Sequence, residues 1–240
     1  MDAPGALRPG GGNPGNGIPH FAPLHAGYKH HAGYKPMIQL PSPASTALVL
    51  CDLQNDFLHR DGAYARAGVS AAEIAALPAR LKPVADAARR AGGWIVSTHF
   101  TLAPGRGGEP LILPHLQKLR PFLGKGDFAP GSFGHDLVAE LKPADLTVEK
   151  VAYSAFYMSR MEFVLRRAGI DTLVFAGIVT NGGVASSVRD AQVRDFRCIV
   201  LSDGCAAFST AVHEATIASL ASVVEIADCA GLTAALVQPP

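Results

Sequence analysis

The stretch over residues 172–190, TLVFAGIVTNGGVASSVRD, leaves few folds open. Its first residues form an apolar run too short for a helix and bounded by a turn, which predicts a buried strand over 172–176. The chain then crosses Gly177, Asn181, Gly182 and Gly183 and continues with Val184, Val188 and Ala191 at helical spacing. Strand, tight glycine turn and helix together make an α/β elbow. The amides at the start of such a helix point out of the turn and favour negative charge. No Ser or Cys stands at the apex; Gly182-Gly183 fills it.

The rest of the chain repeats the alternation. Apolar runs predict strands over 46–52, 94–98, 146–150, 197–201 and 223–226. Helical spacing appears over 71–91, 135–141, 158–167 and 210–221. Strands alternating with helices imply βαβ units and a mostly parallel sheet covered on both faces. The Gly/Pro-rich stretch 104–131 is too long for a simple connection, and such loops usually bind or cover ligands.

Residues 1–43 differ from the rest. They are rich in Gly and Pro, repeat Ala-Gly-Tyr-Lys at 26–29 and 32–35, and carry His20, His25, His30 and His31. Such a segment buries too little apolar surface to form a core. It reads as an extended arm over 1–43 ahead of one domain over 44–240. A metal site is the sharper alternative, but no carboxylate or Cys is interleaved with the histidines; plain disorder is the other. A hydrophobic content of 48% with a charged fraction of 17% suits one α/β domain. A net charge of +1 points to no nucleic-acid partner. No leader-like start and no apolar run of membrane length is present, which predicts a cytoplasmic protein without a membrane partner. Cys51, Cys198, Cys205 and Cys229 lack CxxC pairing and read as reduced core thiols rather than disulfides.

In an open parallel sheet, ligands bind beyond the carboxyl ends of the strands. Asp52 closes the first predicted strand, Lys150 the third, and the Gly182-Gly183 elbow follows the fourth. Alone, Asp52 reads equally as a loop cap and Lys150 as a solvated strand end. Together, on what reads as neighbouring strands, they form a candidate carboxylate–ammonium site in which each holds the other charged.

Three blocks carry a resemblance: VLCDLQNDF at 49–57, EKVAYSAF at 149–156 and GIVTNGGVASSVRDA at 177–191. In order and spacing they resemble the signature blocks of the isochorismatase-like hydrolase superfamily. That superfamily includes isochorismatases, nicotinamidases, N-carbamoylsarcosine amidase-like enzymes and ureidoacrylate amidohydrolases. The resemblance covers residues 44–230. It implies a three-layer α/β/α sandwich around a six-stranded, mostly parallel sheet, in homodimers or homotetramers, acting on a small molecule. It also implies a non-proline cis peptide joining Ile178 to Val179, with the amides of Val179 and Gly183 forming an oxyanion hole. By the same resemblance Gln54, Phe57, His99, Tyr153, Phe156 and Asn181 bind substrate. No cofactor is expected. No metal is expected either, because Gln54 stands where nicotinamidases carry a metal-binding His.

Amidohydrolases of the superfamily use an Asp–Lys–Cys triad. Asp52 and Lys150 match its first two members, and the nucleophile maps onto Gly183. Without a thiolate the usual acyl-enzyme route is closed, and Ser186 and Ser187 lie a turn further along the helix. Isochorismatases also carry Gly there and need a general acid rather than a nucleophile. Yet Val179-Thr180-Asn181 is closer to the amidase branch. Two hypotheses follow. The first is a hydrolase that cleaves an enol ether, amide or ester by Asp52/Lys150 acid–base catalysis, with Gly183 supplying an amide and space. The alternative is a ureido or carbamoyl amidohydrolase that has lost its Cys and is an inactive variant or binding module.

Overall fold

The computed structural model describes residue 40 and residues 42–237. The arm expected over 1–43, with its histidines, lies outside the described residues but for Leu40, Ser42 and Pro43. From Thr46 onward six strands form one parallel sheet: β1 Thr46–Cys51, β2 Trp94–Phe100, β3 Leu146–Lys150, β4 Thr172–Ile178, β5 Arg197–Ala206 and β6 Glu225–Ala227. Their order is β3-β2-β1-β4-β5-β6. The chain winds outward from β1 to β3, then restarts on the other side of β1 with β4. That reversal leaves a crevice beyond the carboxyl ends of β1 and β4, where α/β folds place their ligands.

The central strand is buried along its whole length, as a parallel strand covered on both faces must be. Its side chains alternate between two cores. Leu48 and Leu50 pack with Ile74, Leu77, Leu81 and Val84 of helices α3 (Ala72–Ala75) and α4 (Leu77–Arg90), and with Leu232 and Leu236 of α9 (Cys229–Val237). Ala47 and Val49 pack with Met161 and Leu165 of α6 (Met161–Arg167) and Val188 and Ala191 of α7 (Ala185–Gln192). Helix α8 (Thr210–Leu220) adds Leu220 to this second core. The result is the three-layer α/β/α sandwich with a six-stranded sheet.

Several boundaries differ from the sequence reading. The helix expected over 71–91 is two, because Pro78 lacks the N–H that would join the ladder of α3 to that of α4. The segment 135–141 leaves a turn at 135–136, runs through a bridge at Leu137 and closes with a single 3-10 turn at Ala139–Leu141. Leu137 forms an antiparallel bridge with Gln54, and the Val138 amide donates to the Leu53 carbonyl (3.0 Å). Pairing with a distant strand end overrides the helical spacing there. The helix expected from 158 begins at Met161, where the Ser159 hydroxyl accepts from the Met161 amide (3.1 Å). Short helices α1 (Asn55–Leu58), α2 (Ala63–Arg66) and α5 (Pro114–Leu119) escaped the reading, as did α9. The small residues Ala230, Gly231, Ala234 and Ala235 of α9 blur the apolar face that Leu232 and Leu236 form.

The closest backbone approach fixes the crevice. At Gly177 φ is +120°, and a Cβ there would stand 2.2 Å from the Cys51 carbonyl oxygen. Only glycine combines that torsion with that contact. Gly177→Ala is therefore expected to destabilise the fold by at least about 3 kcal/mol, measured by thermal or urea unfolding. An alanine variant as stable as the parent would show that β1 and β4 do not meet as described.

Candidate active site

Asp52 directly follows β1 with φ of +56°, the left-handed region that non-glycine residues seldom occupy. Its amide donates to the Thr98 carbonyl (3.0 Å), and one carboxylate oxygen accepts from the Thr98 hydroxyl (2.8 Å). The other oxygen lies 2.8 Å from the Lys150 ammonium. Asp52 and Lys150 do not sit on neighbouring strands as the sequence reading had it, because β2 lies between β1 and β3. The lysine's four-carbon stem covers the gap, with its ammonium 5.5 Å from the centre of the Phe100 ring. The ammonium also donates to the Ala152 carbonyl (3.0 Å). Both side chains are buried, at 3% and 6% exposure. Burial pushes the Asp52 carboxyl above the usual carboxylate range; Lys150 and the Thr98 hydroxyl oppose this without cancelling it.

The Gly182-Gly183 elbow completes the site. The peptide between Ile178 and Val179 is cis, and a π-helical turn over Thr180–Val184 leads into α7. Such turns inside helices cluster at functional sites. A Cβ at Gly183 would lie 3.0 Å from an Asp52 carboxylate oxygen, 3.1 Å from the Ile178 carbonyl oxygen and 3.6 Å from the Lys150 nitrogen. The side of Gly183 that would carry a side chain thus faces the buried pair. Ser187 is a strut: its hydroxyl donates to the Gly183 carbonyl (2.7 Å) and accepts from the Ala155 amide (2.9 Å). All four cysteines are free and buried, and none lines the cavity here. Burial pushes the thiols up, to about 12 for Cys198 and Cys205.

A cavity of about 100 Å³ opens above the elbow. Of the residues singled out from the sequence, Asp52, Gly183, Val179, Phe57 and Tyr153 line it. Gln54, His99, Phe156 and Asn181 are not among its lining residues. The Gln54 amide clamps the Phe100 backbone (2.8 and 3.0 Å) and the His135 carbonyl (2.8 Å), so it holds the wall rather than forming it. His99 turns into a buried pair with His135, with ring centres 5.1 Å apart, and contacts Ser97 (2.9 Å). Burial lowers its pKa to about 4. Phe156 packs in the core beside Phe196, and Asn181 is exposed. The sequence reading missed Tyr64, Phe100, Arg120 and Phe208, which also line the cavity. The long 104–131 stretch contributes Leu116, Leu119, Arg120 and Leu123 to the cavity wall. A roomier cavity of about 370 Å³ lies between Arg80, Asp203 and His213. It holds neither Asp52 nor Gly183, so we place the chemistry in the smaller one. Among the described residues no group of three His, Cys, Asp or Glu is arranged to hold a metal, and no helix is long and apolar enough to cross a membrane.

Comparison with known proteins agrees with this fold. The isochorismatase domain pattern matches residues 46–230. The chain is 33% identical to the ureidoacrylate amidohydrolase RutB of Pantoea ananatis over 196 residues, 76% of this chain and 77% of that one. It is 35% identical to the protein of the same name from Rhizobium rhizogenes over 174 residues, 67% of this chain and 70% of that one. Among solved structures, a cysteine hydrolase from Pseudomonas syringae superposes with a TM-score of 0.71 at 24% identity, covering 84% of this chain and 97% of the other. The N-carbamoylsarcosine amidase of Thermoplasma acidophilum gives 0.61 at 24% identity, covering 77% and 96%. At that identity the structures speak for the fold alone.

The electrostatics give a signed expectation. Lys150 pulls the Asp52 carboxyl down against burial, so Lys150→Gln leaves burial opposed by the Thr98 hydroxyl alone. Asp52 should then hold its proton to higher pH than in the parent, read by carboxyl NMR titration. An unchanged or lower titration point would contradict the coupling.

Proposed function

The chain belongs to the isochorismatase family and is a hydrolase, and from that premise we propose that it cleaves a small amide or ureido substrate with water as the direct nucleophile. One observation carries this reading. The point where a Gly183 Cβ would stand is 3.0 Å from the Asp52 carboxylate and 3.6 Å from the Lys150 ammonium. That side of Gly183 faces a base and a cation, and with no Cβ there a water packed against the Gly183 Cα can approach the Asp52 carboxylate and the Lys150 ammonium. The name of the relatives, ureidoacrylate amidohydrolase, supports an amide-type bond over an enol ether.

Asp52 takes a proton from the water as its oxygen adds to the substrate carbonyl carbon. The carbonyl π electrons move to oxygen, to which the N–H groups of Val179 and Gly183 donate as the charge develops. Asp52 then returns the proton to the leaving nitrogen as the C–N bond breaks. Lys150 keeps the carboxylate ionised and oriented. Water, amide and products balance with no external reagent.

A second reading has its own support. A complete Asp–Lys pair facing a glycine also suits an amidohydrolase scaffold without its thiol, hence a binding module. The two readings give opposite signs for one substitution. Under the first, Gly183→Ala and Gly183→Cys both fill the water's place and press on Asp52, so turnover of ureidoacrylate falls at least about 100-fold. Under the second, Gly183→Cys creates a thiol beside Asp52 and Lys150 and activity appears or rises. A parent without turnover and an active Gly183→Cys would reject the first reading.

Asp52→Asn should abolish turnover while circular dichroism shows a retained fold; more than a few percent residual activity would remove Asp52 from its role. Because the base must be ionised and burial raises its pKa, kcat/KM should fall on the acid side with a limb above the ordinary carboxylate range. A limb at or below that range would contradict a buried base.

A further inference from the structure

We propose that Arg120 is the specificity-determining residue of this site and selects substrates that carry a carboxylate. The inference rests on the hydrolase reading above and adds the substrate class. Arg120 follows α5 and lines the same cavity as Asp52 and Gly183. Its Nε–H donates to the Tyr64 hydroxyl (2.9 Å) and its Nη1 to the Leu119 carbonyl (2.8 Å). A guanidinium has about five N–H donors. With two of them engaged, the rest have no acceptor among the described residues.

Charge accounting points the same way. Asp52 and Arg120 are the charged residues lining the cavity. Asp52 is balanced by Lys150 at 2.8 Å. No carboxylate among the described residues lies within ion-pair distance of Arg120, whereas Arg66 has one and Arg194 two. The cavity therefore holds one uncompensated positive charge within a largely apolar wall. A cation so placed favours an anionic ligand, and more strongly than it would in bulk water.

The rings around it fix its geometry. The guanidinium carbon lies 5.8 Å from the centre of the Tyr64 ring and 5.5 Å from that of Phe208. Those two rings are stacked at 5.8 Å and 11°. A planar fork held by stacking and by the Tyr64 hydroxyl is pre-organised for two parallel hydrogen bonds to a carboxylate. No second cation lines the cavity, which favours a monoanion over a phosphate dianion. The aromatic walls and the small volume favour a short, flat spacer between that carboxylate and the scissile carbonyl, which faces Asp52.

The test uses the full chain with ureidoacrylate and its neutral primary carboxamide as probes. Calorimetry should show the parent binding the carboxylate about 10- to 100-fold more tightly than the carboxamide. Arg120→Gln should erase that preference by weakening the carboxylate alone, with KM raised and kcat little changed where turnover is measurable. Arg120→Lys keeps the charge but loses the fork, and should retain part of the preference. A preference that survives Arg120→Gln overturns the proposal, and so does a parent that binds neither probe at millimolar concentration. Binding preference is read without turnover, so a parent that binds the carboxylate selectively but hydrolyses nothing rejects the hydrolytic reading and leaves the role of Arg120 standing.

Discussion

The ion pair between Asp52 and Lys150 is the interaction on which the site depends. Two charges taken out of water lose several kcal/mol of hydration each, and their attraction repays this only with good geometry and extra hydrogen bonds. Both conditions hold. The contact is 2.8 Å, Thr98 satisfies the second carboxylate oxygen, and Ala152 takes another lysine proton. Such a pair is weak evidence for stability, since apolar residues often serve a core as well. Its place at the crevice where the sheet reverses direction is what ties it to chemistry. The left-handed backbone of Asp52 points the same way, because strained torsions persist where the surroundings over-determine them.

The fold brings three distant segments to that pair with little freedom. Gly177 lets β4 touch β1, so the elbow begins within reach of Asp52. Ser187 ties the elbow to the segment after β3 that carries Tyr153. Gln54 ties the segment after β1 to the end of β2 and to His135. A position whose Cβ direction faces a carboxylate and an ammonium admits either a side-chain nucleophile or a water. On the proposed reading the glycine at 183 leaves that place to water, and Arg120 selects what is brought to it.

Much of the fold was legible because apolar runs and glycine turns are local signals. The six strands, the elbow and the strand-end residues Asp52 and Lys150 all follow from short windows of sequence. What escaped was long-range. Gln54 and His99 look like pocket residues beside the signature blocks, yet the Gln54 side chain is bonded to the Phe100 and His135 backbone and the His99 ring packs on the His135 ring. Phe156 faces the core for the same reason: only the packing partner, Phe196, reveals the side it takes. Arg120 sits in a Gly/Pro-rich loop without periodicity, and its role appears only when Tyr64 and Phe208 converge on it. Short windows do not carry the strand order either: they place Lys150 beside Asp52, whereas it reaches across β2.

The central claim is that water, not a protein atom, attacks the substrate. A single turnover in H₂¹⁸O with protein in excess over ureidoacrylate tests it directly, using mass spectrometry of the acyl product and of the peptide that contains Asp52. The account predicts ¹⁸O in the product, none in Asp52, and no acyl adduct on the quenched protein. Label in the Asp52 carboxylate, or an adduct on any side chain, would contradict it.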